Sequence, residues 1–256
     1  MSADAGRVAA VIVTHNSERF LPELIASIQG QTRSPDAVIV IDDHSTDQTI
    51  DMLRQAGWMV EAATSSATDT TTRIAQNFTQ GVRAVRDFDI AILGDHDDYW
   101  LPDRVDHQVH QLAKHPSAWM LASGARIMGS NRTLRDTFPV PDDWADMSRG
   151  RRLRYALRHS IATGGASAVR PRQLLDPVNE TTTIPAGWLH DRWWSLAATA
   201  KDALIIEPHS VIEYRVQSNQ QVGLDRGRQG RKVLRLQVND VVRARQALNL
   251  LKLRAN

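Results

Sequence analysis

The sequence predicts an α/β fold, a mostly parallel sheet with helices on both faces, and three observations carry the prediction. The runs "VAAVIVT" (8–14), "DAVIVIDD" (36–43) and "FDIAILG" (88–94) are too continuously apolar for strands with a solvated face. They suit strands buried on both sides. Segments of helical periodicity separate them, the order that produces parallel pairing through right-handed crossovers. Finally, "THN", "DDHSTD" and "GDHDD" each stand at a strand exit, and open α/β sheets bind ligands beyond the carboxyl ends of their strands.

Taken in order, the first strand leads into "ERFLPELIASIQGQT" (18–32), where Leu21, Leu24, Ile25 and Ile28 recur at helical spacing. After the second strand, Ser45 or Thr46 is placed to cap a helix through "DQTIDMLRQAG" (47–57), with Gly57 as its stop. "MVEAAT" (59–64) reads as a third strand, "TRIAQNFTQGVRAV" (72–85) as a helix and "FDIAILG" as the fourth strand. "RVDHQVHQLAKHP" is a helix ending before Pro116, and "AWMLASGARIM" (118–128) a further strand. Residues 130–150, rich in Asp, Pro and Arg, read as a loop. "RGRRLRYALRHS" (149–160) is a basic helix, "ATGGASAVRP" (162–171) a glycine turn with a short strand, and "GWLHDRWWSLAATA" (187–200) a helix led by His190 and Asp191.

Composition narrows the class. With 256 residues, 42% apolar and 23% charged, the chain can build a substantial core. It has no cysteine, which excludes disulfides and thiolate metal sites and suits a reducing cytoplasm. The first residues lack the apolar core of a signal peptide, and no segment approaches the ~20 apolar residues of a membrane span, so a soluble chain is expected. Charge is uneven: residues 225–256 carry a net +7, residues 1–224 a net −5. Two units follow, a body over 1–224 and a basic helical tail over 225–256. A basic tail suits an anionic surface, lipid or nucleic acid, and equally a solvated helix face.

The stretch "AILGDHDDYWLPDRV" (91–105) raises the sharpest question, because three carboxylates crowd the end of a buried strand. Like charges this close repel, and a divalent cation is the natural compensation. Asp95 and Asp97 offer hard oxygen donors suited to Mg²⁺ or Mn²⁺, which bind substrate phosphate through one or two protein carboxylates. The plainer reading is a capping loop with Asp98 as N-cap. Asp43, at the second strand's exit, is placed to accept hydrogen bonds from a base or ribose, or only to turn the chain. Asp191 precedes Trp193 and Trp194, rings that desolvate a carboxylate and raise its proton affinity toward general-base duty; the same residue could merely cap its helix. The five arginines of 149–158 are phosphate donors or a solvated face.

These blocks in this order resemble glycosyltransferase family 2, the inverting transferases with the GT-A fold, a Rossmann-like nucleotide-binding sheet. The opening strand and helix, "VIVIDDHSTDQT", the Asn-Phe pair and the Asp-x-Asp-Asp-x-Trp block of "NFTQGVRAVRDFDIAILGDHDDYWLPDRV" are closest to a bacterial rhamnosyltransferase-like branch. "TGGASAVRP", "HDRWWSLAA" and "EYRVQSNQQVG" follow in family order, so the resemblance covers roughly residues 8–223. It implies that Thr14, Asn16, Glu18 and Asp43 line the nucleotide pocket, with Asp42 in support and Arg73 and Asn77 nearby. Asp97 would be the direct metal ligand, Asp95 a metal ligand nearer the ribose, and Asp191 the catalytic base. Two departures stand out: His44 where the family usually has glycine, and Gln217 where many relatives place a histidine near the metal or diphosphate.

The expected activity is therefore a metal-assisted, inverting hexosyl transfer from a UDP- or dTDP-sugar to a glycan or lipid-linked acceptor, in the cytoplasm, with Mg²⁺ or Mn²⁺ as cofactor. A role in cell-wall or polysaccharide synthesis is the expected setting, and no nucleic acid partner is expected. Leu234, Val238, Val241, Leu248 and Leu251 give the tail an apolar stripe flanked by Arg231, Lys232, Arg235, Arg243 and Arg245. Such a helix over 229–254 suits peripheral contact with the inner membrane face, packing on its own domain, or a homodimer. Two rivals stay open. A non-catalytic nucleotide-sugar-binding relative draws on Gln217, and a nucleotidyltransferase is disfavoured by the lack of a glycine-rich phosphate loop after the first strand.

Overall fold

In the computed structural model the described residues are 6–128, 134–137, 140–176, 178, 181 and 183–215. The boundary expected at 224/225, the tail and Gln217 lie outside them.

The core is one mixed sheet. β1 (Val8–Thr14) lies between β2 (Ala37–Asp42) and β4 (Ile90–Asp95), parallel to both, and β2 pairs in parallel with β3 (Met59–Ala62). All of β1, and all of β4 but its last residue, are buried, as runs with no polar alternation require. The parallel expectation holds throughout this half, whereas the other half is mixed. Beyond β4 comes β8 (Ser167–Val169), antiparallel to it and to β6 (Met120–Met128). β6 pairs in parallel with the long β9 (Leu204–Arg215), whose end takes up β5 (Tyr99–Trp100), and β7 (Leu134–Thr137) adds to β6. Part of the stretch expected as a loop over 130–150 is thus strand, and Trp144–Asp146 form a single 3₁₀ turn.

The helices are α1 (Leu21–Gln29), α2 (Thr49–Gln55), α3 (Thr70–Ala84), α4 (Arg104–Lys114), α5 (Arg149–Arg158), the single turn α6 (Pro171–Leu174) and α7 (His190–Ala200). α3 begins where the Asp69 carboxylate accepts the Thr72 N–H at 2.8 Å. It buries Ala75, Phe78 and Val82, each large side chain contributing about 1.5–3 kcal/mol. α2 stops as expected at Gly57, which takes φ +78°. Its start differs from expectation. Neither Ser45 nor Thr46 caps it, because the Ser45 hydroxyl and N–H both turn back to Asp42 and the Thr46 N–H goes to Asn16 Oδ1. Asp98 does not cap α4 either; that position belongs to Asp103, and Asp98 is buried.

Candidate active site

Two of the three polar clusters interlock. Thr14, fully buried, donates to Asp42 Oδ1 at 2.8 Å, and Asp42 also holds Ser45 through both carboxylate oxygens. Asp42 is thus committed to the scaffold. Asn16 sits at φ +46°, where its N–H reaches the Ser45 hydroxyl and its Oδ1 accepts from Thr46. Glu18 places its carboxylate on the Gln48 N–H at the head of α2. His44, at φ +60°, occupies the left-handed region that a glycine adopts without strain, which accounts for the family's usual residue there. The result is a braced shelf above β1 and β2.

On that shelf Asp43 points its carboxylate to Arg73, whose Nε lies 2.6 Å from Oδ2. Both are largely covered. A planar guanidinium locked by a carboxylate is a rigid donor-acceptor surface of the kind a nucleobase or ribose can meet. Asn77, one turn along α3, is fully buried, and neither end of its amide has a partner among the described residues. It does not join the Asp43–Arg73 pair by any hydrogen bond seen here.

The third cluster lies at the end of β4. Asp97 and Asp98 are buried and Asp95 half-buried. Burial first, then the charges of Asp97 and Asp191, push Asp95 up to about 7, with Arg104 and the Gly165 N–H opposing. Burial and the Asp95 and Asp97 charges raise Asp98 well above the usual carboxyl range. Neither Asp98 oxygen accepts a hydrogen bond of normal geometry among the described residues. Buried acids this close are an arrangement that a divalent cation would relieve.

Arg104 is the counter-charge that the sequence did not reveal. It is fully buried at the start of α4, stacked 3.8 Å over the Trp100 ring, and donates to the Leu93 carbonyl and to Gln108. Burial pulls it down to about 9, while Asp98 and Asp95 hold it up. An arginine at the first position of a helix reads as surface; only the fold turns it under the acids.

Asp191 meets this cluster across a double-glycine corner. Its Oδ2 accepts the Gly164 N–H at 3.0 Å and its Oδ1 the Arg192 N–H at 2.6 Å. Burial pushes its carboxyl up to about 6 against those bonds and the Arg192 charge. The next residue, Gly165, backs onto the acids: a Cβ there would lie 2.4 Å from Asp98 Oδ2 and 2.7 Å from Asp95 Oδ2. Asp191 therefore faces the acids at the end of β4 rather than standing apart from them, and it sits within the first turn of α7 rather than at its cap. His190 turns inward, stacked 3.9 Å on Phe78, and burial holds it at about 3, so it is neutral. Of the arginines of α5, three are engaged by protein: Arg149 with the Ala200 carbonyl, Arg152 with the carbonyls of Trp144 and Ala145, and Arg151 with Asp143. Arg154 and Arg158 remain exposed.

The family model described as "Glycosyl transferase family 2" matches residues 9–176. No curated protein matches the chain. Among solved structures, S. aureus TarS 1–349 in complex with UDP superposes with a TM-score of 0.62 at 14% identity, covering 98% of this chain and 66% of that one. The TarS 1–349 complex with UDP-GlcNAc gives 0.60 at 16% identity, covering 84% and 60%. Glucosyl-3-phosphoglycerate synthase from Mycobacterium tuberculosis, in complex with Mn²⁺, UDP and glucosyl-3-phosphoglycerate, gives 0.55 at 18% identity, covering 96% and 78%. The chain thus spans 66% or less of the length of the TarS fragment. Its fold is the mixed α/β GT-A arrangement that the sequence predicts. Among the described residues no helix is long and apolar enough to cross a membrane.

Proposed function

The chain belongs to glycosyl transferase family 2, and on that footing we propose that it moves a sugar from a UDP- or dTDP-sugar to an acceptor hydroxyl with inversion at the anomeric carbon. The observation that carries the reading is the double-glycine corner. It sets the raised carboxyl of Asp191 against the acids at the end of β4, the opposition that attack from the face away from a leaving diphosphate requires.

Thr14, Asn16, Glu18 and Asp42 brace the shelf; Asp43 and Arg73 meet the base and ribose, with Asn77 behind them. Asp97 and Asp95 would hold Mg²⁺ or Mn²⁺, which when bound supplies positive charge for the departing diphosphate. Their fit to a hard cation rests on all-oxygen donors and on the burial and mutual repulsion that lift Asp95 and Asp98. Asp191, unprotonated above about 6, takes the proton of the acceptor hydroxyl as its oxygen attacks. The two backbone N–H groups on its carboxylate fix its direction. The acceptor is a glycan or a lipid-linked sugar, and the exposed Arg154 and Arg158 offer its phosphates a landing point.

The test is a thermal-shift panel of nucleoside diphosphates with and without Mn²⁺, followed by nucleotide release from the matching donor. A Mn²⁺-dependent shift with UDP or dTDP, and release that needs acceptor and is lost in Asp191→Asn, is the expected pattern. Release unchanged in Asp191→Asn would remove the base assignment, and no nucleotide-dependent shift would remove the donor class.

A further inference from the structure

Away from the acids, two imidazoles and two carboxylates gather where α4 begins and β9 departs from its register. Asp103 and His107 stand one turn apart at the head of α4, on one face. Opposite them, β6 and β9 pair Ala122 with Ile206 and then Gly124 with Ser210, so Glu207, Pro208 and His209 face the single residue Ser123. That is a bulge, and bulges re-aim side chains. Gly124 makes room for it: a Cβ there would lie 2.5 Å from the Pro208 carbonyl oxygen. The bulge brings His209 Nε2 to 2.9 Å from Asp103 Oδ2 and Glu207 Oε1 to 2.7 Å from His107 Nε2. The two imidazole rings stack with centroids 3.9 Å apart.

We propose that Asp103, His107 and His209, with Glu207 completing the set, form a second divalent-metal site selective for a borderline ion such as Zn²⁺. One donor atom from each of the first three lies within 4.8 Å of the others. Two imidazole nitrogens and two carboxylate oxygens make the donor set that suits tetrahedral Zn²⁺, whereas Mg²⁺ and Mn²⁺ favour oxygen alone. Zn²⁺ bonds of about 2.0–2.2 Å put neighbouring donors roughly 3.3 Å apart. The outer pair, Asp103 and His209, has 52% and 41% of its side-chain surface exposed and would turn inward on a bound ion. The inner pair is held: Glu207 accepts from the Ser123 hydroxyl at 3.0 Å, and Ser123 accepts from Gln108 at 3.1 Å, the outer support that metal ligands need.

A pair of simple imidazole–carboxylate contacts is the plainer account. It does not account for the third group: Asp103, His107 and His209 each bring a donor atom within 4.8 Å of the others, which two separate pairs do not need. The site is separate from the acids of β4. His209 lies six residues before Arg215, whose Nε reaches the Asp97 carbonyl, so at ~3.3 Å per residue the two strand positions are about 20 Å apart. Its effect would be to pin the first turn of α4 to β9.

Zn²⁺ titration calorimetry on the full chain, with Asp97→Asn as background to silence the acids, tests this. The expected result is one equivalent bound in the Asp97→Asn background, weakened at least tenfold when His107→Gln or His209→Asn is added. Co²⁺ loaded in place of Zn²⁺ should show the intense visible absorption of a tetrahedral site, lost in the same two variants. Both variants change covered-to-exposed side chains, and their metal-free melting temperatures should match wild type; the Zn²⁺-induced rise should vanish. Equal Zn²⁺ affinity in wild type and both variants means adventitious imidazole binding only and overturns the proposal, as does no measurable binding to wild type.

Discussion

Replacing Asp95 with asparagine probes the repulsion at the end of β4 directly. In the folded chain Asp95 holds its proton up to about 7, against 3.8 for an ordinary carboxyl. The fold therefore binds that proton more tightly than the unfolded chain does. The stability this brings is complete below about 4 and drains away as pH rises toward 7. At about 1.4 kcal/mol per pH unit, the wild type loses on the order of 3 kcal/mol between pH 5 and the folded value near 7. Solvent access at the half-buried Asp95 cuts this to about 1–2 kcal/mol. Asparagine does not titrate, so the variant keeps what the wild type loses. For a chain of this size about 1 kcal/mol moves the midpoint by about 2–4 °C. Scanning fluorimetry in chelator-treated buffer should show the variant melting above wild type, with the gap widening by about 3–6 °C from pH 5 to pH 7.5. Adding Mn²⁺ at pH 7.5 should raise wild type and leave the variant unmoved. A gap that stays constant with pH would refute the raising of Asp95 by burial and neighbouring charge.

Other consequences follow from the same geometry. Asp191→Asn should cut kcat by about 10²–10⁴ with donor KM little changed, and wild-type kcat should fall tenfold per pH unit below about 6; a flat acid limb in steady-state assays would contradict a base at that position. Arg104→Met leaves Asp95 and Asp98 without their buried counter-charge and should cost about 3–5 kcal/mol in urea unfolding at pH 8, and less at pH 5, where the acids take up protons. Gly165→Ala drives a methyl group into both Asp95 and Asp98. It should abolish the Mn²⁺-dependent melting shift while circular dichroism stays native, and a normal Mn²⁺ response would show the corner to be more yielding than its contacts imply.

The first hundred residues were legible because their strands are long, apolar on both faces and separated by strong helical periods. Polar residues at strand exits then had few places to go, which is why Thr14, Asp42, Asp43 and Asp95 all fall at one end of the sheet. Where local chemistry had alternatives, sequence reasoning misplaced detail. Ser45 looks like a cap but finds a better acceptor in Asp42, a partner chosen by tertiary packing. The later half was harder to read for a physical reason. β5 has two residues and β8 three, too short for any period, and the Glu207-Pro208-His209 bulge breaks the alternation of β9. Arg104 was invisible for a different reason, since only burial under Leu93 and Trp100 distinguishes it from the surface arginines.

The chemistry of the site depends on joining those two halves. The parallel half supplies the shelf and the acids at strand ends; the mixed half brings Asp191, at the start of α7, opposite them. β8 makes the junction, pairing with β4 on one side and β6 on the other, and the two glycines just before it turn the chain against both sets of carboxylates. A side chain at either glycine would occupy space that now belongs to His190 or to Asp95 and Asp98. Close approach of like charges is destabilising by itself, and nothing in the packing of β8 demands it. On the proposed function these acids, partly compensated by Arg104 and with Asp191 raised alongside, are where a bound cation would add the missing positive charge.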